Sequence, residues 1–276
     1  MPEGTSTETV TLSDGSSHPL PHLNMKVAGQ GETLVLIHGG LGSWKHWVRN
    51  IEPLSKIGRV HALDQLAYGE SGPVEPGIGS DDYLELTYRA LLKAFPGDDP
   101  ITFIGFSFGA STAGEMARRF GSRTRRLAVM GPAGLCSSAA RKLELRSYKA
   151  VRNDPALYRD TLRHNLLQLM LAHPESADEA TLDIQQYCVE HTRYDSRRVS
   201  WKTYLKDALP QLTCPVMLIW GELDTSAVPS IAARTQIVLD ARPDTRVELI
   251  RNAGHWVQYE AADAVNRLLA DFIATT

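Results

Sequence analysis

Residues 101–110 read Ile-Thr-Phe-Ile-Gly-Phe-Ser-Phe-Gly-Ala and join an apolar run to a helical pattern. The run Ile101–Gly105 is typical of a strand buried on both faces, and Ser107–Phe120 has the periodicity of a helix. A sharp turn between the two would expose the hydroxyl group of Ser107, with small neighbours because the backbone passes close by. The helix N-terminus behind the serine favours developing negative charge. The segment therefore predicts a nucleophilic Ser107; the alternative is a glycine-rich packing turn whose serine only caps the helix.

A serine nucleophile needs a base, and the base needs a carboxylate that orients it. Gly-Glu-Leu-Asp at 221–224 follows the apolar run Val216–Trp220, and Gly-His-Trp at 254–256 follows Val247–Ile250. Both segments lie at the carboxyl ends of predicted strands, where the ligand sites of α/β sheets gather. We predict a triad of Ser107, Asp224 and His255, in the chain order expected for this architecture, with Glu222 as the rival acid.

A glycine-rich loop, His38-Gly39-Gly40-Leu41-Gly42, follows the apolar run that ends at Ile37. The charged oxygen of a tetrahedral intermediate needs at least two N–H donors. We predict that the backbone N–H groups of Gly40 and Phe108 provide them, although a tight turn would also need glycine for its geometry. His38 is predicted to hold the loop rather than to act as a second base.

Strands alternate with helices along most of the chain. The predicted strands are Thr9–Leu12, Leu23–Ala28, Thr33–Ile37, Val60–Leu63, Ile101–Gly105, Leu127–Met130, Val216–Trp220 and Val247–Ile250. The predicted helices are Ser80–Phe95, Ser107–Phe120, Ser230–Leu239 and Ala261–Ile273. The strands from Thr33 onward are interpreted as buried on both faces, which predicts a doubly wound, mostly parallel sheet. The first two strands, separated by Ser13-Asp14-Gly15-Ser16, are predicted to form an antiparallel hairpin after a loose tail over the first seven or so residues.

The interval between Gly134 and Leu212 contains no strand-like run. It carries helical patterns at Ala156–Ala172 and Glu179–His191. So long an interval without a strand does not fit a loop inside a compact domain. We therefore predict that residues 134–211 form a helical cap inserted into a core domain of residues 1–133 and 212–276.

Composition narrows the class of protein. Of 276 residues 43% are hydrophobic and 22% charged, which suits a globular fold, and the net charge of −3 provides no basic surface for nucleic acid or an anionic membrane. The widely spaced Cys136, Cys188 and Cys214 indicate neither a disulfide framework nor a zinc cage, and His61 and Asp64 lack a third metal ligand at suitable spacing. No apolar stretch approaches the ~20 residues that span a bilayer, and the polar start shows no signal peptide. We expect a soluble, cytoplasmic protein that binds a small-molecule substrate and water, with no nucleic-acid or membrane partner; a homo-oligomer is compatible with the sequence.

Four motifs, taken in order, resemble the α/β-hydrolase superfamily over nearly the whole chain. They are H-G-G-x-G at 38–42, G-x-S-x-G at 105–109, G-x-x-D at 221–224 and G-H-W at 254–256. The resemblance implies an α/β-hydrolase fold, an eight-stranded, mostly parallel sheet flanked by helices with a helical cap. It also implies a Ser-His-Asp triad, water as second substrate, and neither metal nor organic cofactor. Within that superfamily, Met130–Leu135 and Gly254–Glu260 resemble the meta-cleavage-product hydrolases, which hydrolyse C–C bonds in ring-fission products of aromatic degradation.

Two positions depart from that subfamily. Phe106 precedes the nucleophile, where the subfamily usually has asparagine. Gln186 aligns with a cap arginine that binds a dienoate carboxylate, although Arg193 or Arg197 could substitute for it. These departures bear on the substrate and leave the predicted triad intact.

The sequence therefore predicts a serine hydrolase that cleaves a small, mostly apolar carbonyl compound, with an ester as the preferred substrate. The alternative is hydrolysis of a C–C bond in a meta-cleavage-type product, and a non-enzymatic alternative is a small-molecule receptor of the same fold. The side chains and backbone predicted to contact substrate belong to Gly39, Phe106, Trp256 and Gln186. Trp44, His46 and Trp47 either line the mouth of the pocket or pack a helix.

Overall fold

The computed structural model describes residues 4–12, 20–135 and 143–274. Within them eight strands form one sheet: β1 (Ser6–Leu12), β2 (Leu20–Ala28), β3 (Thr33–Ile37), β4 (Arg59–Asp64), β5 (Ile101–Phe106), β6 (Thr124–Met130), β7 (Val216–Gly221) and β8 (Arg246–Ile250). Their spatial order is β1-β2-β4-β3-β5-β6-β7-β8. Neighbours from β4 to β8 are parallel, whereas β2 runs antiparallel to β1 and β4. The predicted α/β fold with a mostly parallel eight-stranded sheet is confirmed.

Helices cover both faces of this sheet. The α-helices of the described residues are α1 (Ile51–Ser55), α2 (Ser80–Ala94), α3 (Phe108–Phe120), α4 (Tyr148–Val151), α5 (Pro155–Leu169), α6 (Glu179–Glu190), α7 (Arg197–Ser200), α8 (Tyr204–Ala208), α9 (Ile231–Ala241), α10 (Val257–Glu260) and α11 (Ala262–Ala274). Short 3₁₀ helices lie at Trp44–Trp47, Gly121–Arg123, Pro174–Ser176 and Leu209–Gln211. Successive strand side chains point to opposite faces, so Val35 joins one buried cluster while Leu34 and Leu36 join the other.

The long helices lie where the sequence predicts them, with ends that agree to within three residues. Helices α1, α4, α7, α8 and α10 span only four or five residues each and were not predicted. A helix of that length completes little more than one turn, so it shows no apolar periodicity that a sequence could reveal.

Both ends of the sheet differ from expectation. β8 is an edge strand that pairs with β7, and Val247 and Leu249 are 37% and 53% exposed, so the prediction of burial on both faces is wrong for this strand. β1 begins at Ser6, which pairs with Val27, so part of the predicted loose tail is strand. The predicted turn Ser13–Ser16 lies outside the described residues.

Helices α4 to α8 lie between β6 and β7, and residues 143–212 contain no strand. Hydrogen bonds attach this helical segment to the core. The N–H of Arg193 donates to the carbonyl oxygen of Ala67 across 2.9 Å, and the hydroxyl groups of Thr181 and Tyr259 lie 2.8 Å apart. The boundaries of the cap at residues 134–211 stay a prediction.

Candidate active site

Ser107 occupies the turn between β5 and α3 in a backbone conformation that few residues adopt. Its φ is +54° and its ψ is −116°, and its N–H donates to the carbonyl oxygen of Met130 across 2.9 Å. A Cβ at Gly105 would lie 2.7 Å from a Cα in the first turn of α3, and one at Gly109 would collide with the carbonyl oxygen of Ile37. Strain of this kind persists only where the surrounding structure maintains it, and it clusters at functional sites.

The imidazole of His255 connects the hydroxyl group of Ser107 to the carboxylate of Asp224. Nε2 lies 3.0 Å from Oγ, and Nδ1 lies 2.8 Å from Oδ2. Burial acts to raise the pKa of Asp224, but the charge of His255 and hydrogen bonds from His255 and Ser226 outweigh it and lower that pKa. An ionised carboxylate only accepts hydrogen bonds, so it keeps the proton on Nδ1 and leaves the lone pair of Nε2 facing the serine.

Glu222, the rival acid, points elsewhere. Its side chain is exposed, and Oε2 accepts a hydrogen bond from the N–H of Asn252 across 3.0 Å. The structure therefore brings Asp224 to His255 and leaves Glu222 on the surface of the neighbouring loop.

Gly39 and Gly40 lie against the nucleophile turn. A Cβ at Gly39 would be 3.3 Å from Cβ of Ser107, and one at Gly40 would be 4.0 Å from Cβ of Phe108. Within the described part of the chain, the N–H groups of Gly40 and Phe108 donate to no acceptor. Two unsatisfied N–H groups beside a nucleophile are the arrangement that an oxyanion requires.

His38 holds the loop that carries these glycines. Its Nε2 accepts a hydrogen bond from the N–H of Gln65 across 3.0 Å, so Nδ1 bears the proton and donates to the carbonyl oxygen of Gly39 at 2.7 Å. Burial lowers the pKa of His38 to about 4, with partial compensation from that carbonyl group. Both ring nitrogens of His38 therefore already have hydrogen-bond partners. This fits the prediction that His38 holds the loop rather than acting as a second base.

Two aromatic residues lie close to His255: the ring of Phe106 contacts its imidazole, and Trp256 is its neighbour in sequence. The ring of Phe106 lies 4.9 Å from that of His255 between centroids, and a Cβ at Gly39 would lie 2.9 Å from it. Trp256 is fully buried, stacks on Tyr259 at 4.1 Å, and donates from Nε1 to a backbone carbonyl group. These contacts fix the orientation of both aromatic rings, and their predicted contact with substrate stays a prediction.

Gln186, which aligns with the carboxylate-binding arginine of the subfamily, hydrogen-bonds to other side chains of the helical segment. Gln186 accepts from Arg159 at 3.3 Å and donates to Glu190 at 3.0 Å, and no contact among the described residues joins it to Ser107. The other two candidates are also occupied. Arg193 donates to the carbonyl oxygens of Gly69 and Ser71, and Arg197 forms an ion pair with Asp195 at 2.7 Å.

His46 comes closer to the triad than the sequence indicated. Its ring lies 4.8 Å from that of Trp256 and 5.7 Å from that of Phe106, and within the described residues neither ring nitrogen has a hydrogen-bond partner. Burial, followed by the nearby His38 and His255, holds the pKa of His46 well below its usual value, so the ring is neutral. The sequence left open whether His46 lines the mouth of the pocket or packs a helix, and the short 3₁₀ helix Trp44–Trp47 has no periodicity that could have shown which way it faces.

Ser226 was also absent from the predicted site. Its N–H donates to Oδ1 of Asp224 across 2.7 Å, and its Oγ lies 2.9 Å from Nδ1 of His255. The only signal in the sequence is a hydroxyl residue two positions after the predicted acid.

The side chains of His61 and Asp64 have other partners in the structure. Nδ1 of His61 lies 3.4 Å from Sδ of Met25, while the carboxylate of Asp64 accepts from the N–H groups of Trp44 and Glu70. The described residues contain no cluster of three or more side chains suited to a metal ion. None of their helices is long and apolar enough to cross a bilayer.

A family model of the alpha/beta hydrolase family matches residues 34–268. Two curated relatives match almost end to end. A 2-hydroxy-6-oxononadienedioate/2-hydroxy-6-oxononatrienedioate hydrolase of Cupriavidus pinatubonensis is 27% identical over 96% of this chain and 94% of its own. A 2-hydroxy-6-oxo-6-phenylhexa-2,4-dienoate hydrolase of Burkholderia cepacia is 28% identical over 99% of this chain and 98% of its own. These relatives confirm the partial resemblance to meta-cleavage-product hydrolases.

Solved structures agree on the fold. A putative aryl esterase from Burkholderia cenocepacia superposes with a TM-score of 0.75 at 23% identity, over 97% of this chain and 98% of its own. The 2-hydroxy-6-oxo-6-phenylhexa-2,4-dienoate hydrolase of Rhodococcus sp. superposes with a TM-score of 0.76 at 20% identity, over 98% of this chain and 100% of its own.

Proposed function

Since the chain belongs to the alpha/beta hydrolase family and is an enzyme of the esterase or C–C hydrolase type, we propose that it hydrolyses small, mostly apolar carboxylic esters through Ser107. The observation that carries this proposal is the continuous set of contacts from Asp224 through His255 to the serine hydroxyl, at 2.8 and 3.0 Å. This set supplies nucleophile, base and orienting acid in one arrangement. It also weighs against the receptor alternative, which would not need an intact triad.

Acylation begins when Oγ of Ser107 attacks the carbonyl carbon and Nε2 of His255 takes its proton. The N–H groups of Gly40 and Phe108 bind the resulting oxyanion. The tetrahedral intermediate then collapses, His255 gives its proton to the departing alcohol, and an acyl group remains on Ser107. Water activated by His255 resolves the acyl-enzyme through the same intermediate geometry and releases the acid. Asp224 keeps the imidazole in the productive tautomer and stabilises the imidazolium ion.

The contacts of the cap favour an uncharged substrate. Arg193 and Arg197, which could bind a substrate carboxylate, instead bind backbone carbonyl groups and Asp195. His46 is buried beside Trp256 but neutral, so it can exchange hydrogen bonds without pairing with a negative charge. A missing charge-assisted hydrogen bond costs roughly 1.5–3 kcal/mol, which is about 10- to 150-fold in specificity for a carboxylate-bearing substrate.

The second candidate is hydrolysis of a C–C bond beside a ketone, because full-length relatives carry that activity in their names. Both reactions pass through an oxyanion at the same carbonyl carbon. C–C cleavage also requires that a carbanion leaving group be stabilised or protonated, usually after ketonisation of a dienol. Ketonisation and carbanion protonation would use a polar group beside His255, and Phe106 provides an apolar ring there instead. This weighs against C–C cleavage as the main reaction.

Steady-state kinetics on a series of aryl esters and on an authentic ring-fission acid test the choice. We expect readily measurable turnover of the esters, and weaker use of the acid. If kcat/KM for the ring-fission acid exceeds that of the best ester by about a hundredfold, an anchor worth roughly 3 kcal/mol is present after all and the ester assignment is wrong.

The nucleophile is tested in the same assays. Ser107→Ala should keep the fold and lower kcat by roughly 10³- to 10⁶-fold. A serine-directed organophosphate should add one equivalent to the wild-type chain and none to this variant. Ser111→Ala is the matched control, because Ser111 lies four residues further along the chain, in α3, and is fully buried, so this variant should still be labelled. If the label is lost in Ser111→Ala and retained in Ser107→Ala, the assignment of the nucleophile is overturned.

A further inference from the structure

Ser226 makes more contacts with the triad than a loop serine needs. It lies two residues after Asp224, between β7 and α9, with a side chain that is almost entirely buried. Its N–H donates to Oδ1 of Asp224 across 2.7 Å, its Oγ lies 2.9 Å from Nδ1 of His255, and its side chain also hydrogen-bonds the carboxylate. Ser226 therefore contacts both the carboxylate of Asp224 and the ring nitrogen of His255 that this carboxylate orients.

The donors in this cluster can be assigned from chemistry. Asp224 is ionised and accepts only, so Nδ1 of His255, 2.8 Å from Oδ2, must carry a proton. Oγ of Ser226 consequently cannot donate to Nδ1. It accepts a hydrogen bond from the Nδ1 proton, which it shares with Oδ2 of Asp224. The hydroxyl group of Ser226 then donates its own proton to the carboxylate of Asp224. The serine dipole thus places its negative end toward the imidazole and its positive end toward the carboxylate.

Packing alone does not hold the ring in this orientation. Phe106 lies beside the imidazole at 4.9 Å, and a Cβ at Gly131 would approach Nδ1 to 2.8 Å, so the neighbours are close. Contacts with apolar or small groups restrict the volume of the ring but do not distinguish its tautomers or its tilt. Directional hydrogen bonds do both.

We propose that Ser226 is a positioning residue for the reaction, holding the Asp224 carboxylate and the His255 imidazole in the geometry in which Nε2 faces Ser107. This inference rests on the triad of the proposed function but not on the identity of the substrate. Ser226 touches no reacting atom, so it acts through His255 and should affect the rate more than the binding of substrate.

Substitution of Ser226 tests the inference with a neighbouring control. Ser226→Ala should lower kcat about tenfold and leave KM within about twofold, because a hydrogen bond to a charged group is lost while the pocket is unchanged. Ser226→Thr retains the hydroxyl group and should recover most of the rate. Thr225→Ala removes an exposed hydroxyl group that bonds to the carbonyl oxygen of Gln168, and it should behave as wild type.

Two readouts do not depend on which ester is cleaved. The Nδ1 proton of His255 should give a low-field NMR signal in the wild type that moves upfield or disappears in Ser226→Ala. The rate at which an organophosphate modifies Ser107 should fall about tenfold in parallel. If wild-type Ser107 is modified but no ester is turned over, the ester proposal fails while the inference about Ser226 is still decided by these two measurements.

If Ser226→Ala shows the same kcat, labelling rate and NMR signal as the wild type, the inference is overturned. If the alanine variant does not fold, as judged by circular dichroism, Ser226→Cys replaces it, because the thiol keeps the volume but hydrogen-bonds weakly. That variant should then be slow, and a wild-type rate would contradict the inference.

Discussion

Two carboxylates follow β7: Asp224 hydrogen-bonds to His255, and Glu222 accepts from the backbone of Asn252. Single substitutions of the two should therefore have different effects. Asp224→Asn should lower kcat by about 10⁴-fold, because an amide at this position favours the wrong tautomer of His255. Glu222→Gln should be mild, since this side chain is exposed and accepts a hydrogen bond from the backbone N–H of Asn252 rather than from His255. Kinetics on any substrate that the wild type hydrolyses compare the two variants directly. The reverse ranking would mean that the wrong acid has been assigned.

At the scale of elements, the close approach of α3 to β3 predicts a large effect of one methyl group. Gly109→Ala would press a Cβ against the carbonyl oxygens of Ile37 and His38, which are backbone atoms that cannot rotate away. Overpacking of this kind costs about 1–3 kcal/mol, and we expect at least that loss in the free energy of unfolding. The same shift would move the nucleophile turn, so activity should fall as well.

Gly79→Ala is the control for that experiment. Gly109 lies in the first turn of α3, and Gly79 directly precedes α2. The nearest atom to a Cβ at Gly79 would be a flexible Asp82 oxygen at 3.6 Å, so the substitution should be nearly neutral. Urea unfolding of both variants provides the comparison. Equal stability of the two would show that α3 can move away from β3 without cost.

At the scale of the whole molecule, buried histidines make stability depend on pH. Burial lowers the pKa of His38 and of His61 to about 4, and the pKa of His46 is lowered as well. In the unfolded chain these groups titrate near 6.5. Between about pH 4 and 6.5 the unfolded chain therefore binds more protons than the folded one, so stability is retained above this window and lost as the pH falls through it.

The free energy of unfolding should accordingly decrease between pH 7 and pH 4.5, with up to about 3 kcal/mol from each of His38 and His61. His61→Phe, which replaces a ring packed against Phe95 at 4.9 Å, should flatten this slope by up to one proton. Urea titrations at several pH values measure the slope directly. An unchanged slope in the variant would show that His61 titrates alike in both states.

The sequence by itself determined the sheet and the order of the predicted triad. Continuous apolar runs such as Ile101–Phe106 identify buried parallel strands, because only strands covered on both faces can dispense with polar residues. Ser107 directly follows such a run, Asp224 lies three residues after β7 and His255 five residues after β8. Since parallel strands end at a common edge, all three were expected at the same edge of the sheet. Three residues far apart in sequence could therefore be predicted to meet before any distance was known.

Only the tertiary structure decided which side chains surround that triad. Gln186 was assigned from an alignment of the cap, where helices carry weak patterns, yet its amide is bound to Arg159 and Glu190. Ser226 and His46 reach His255 and Trp256 through loop and short-helix geometry that has no periodicity. The physical reason is the same in each case. Strand burial is imposed by local composition, whereas the direction of a side chain on a loop or cap helix follows from contacts with segments distant in sequence.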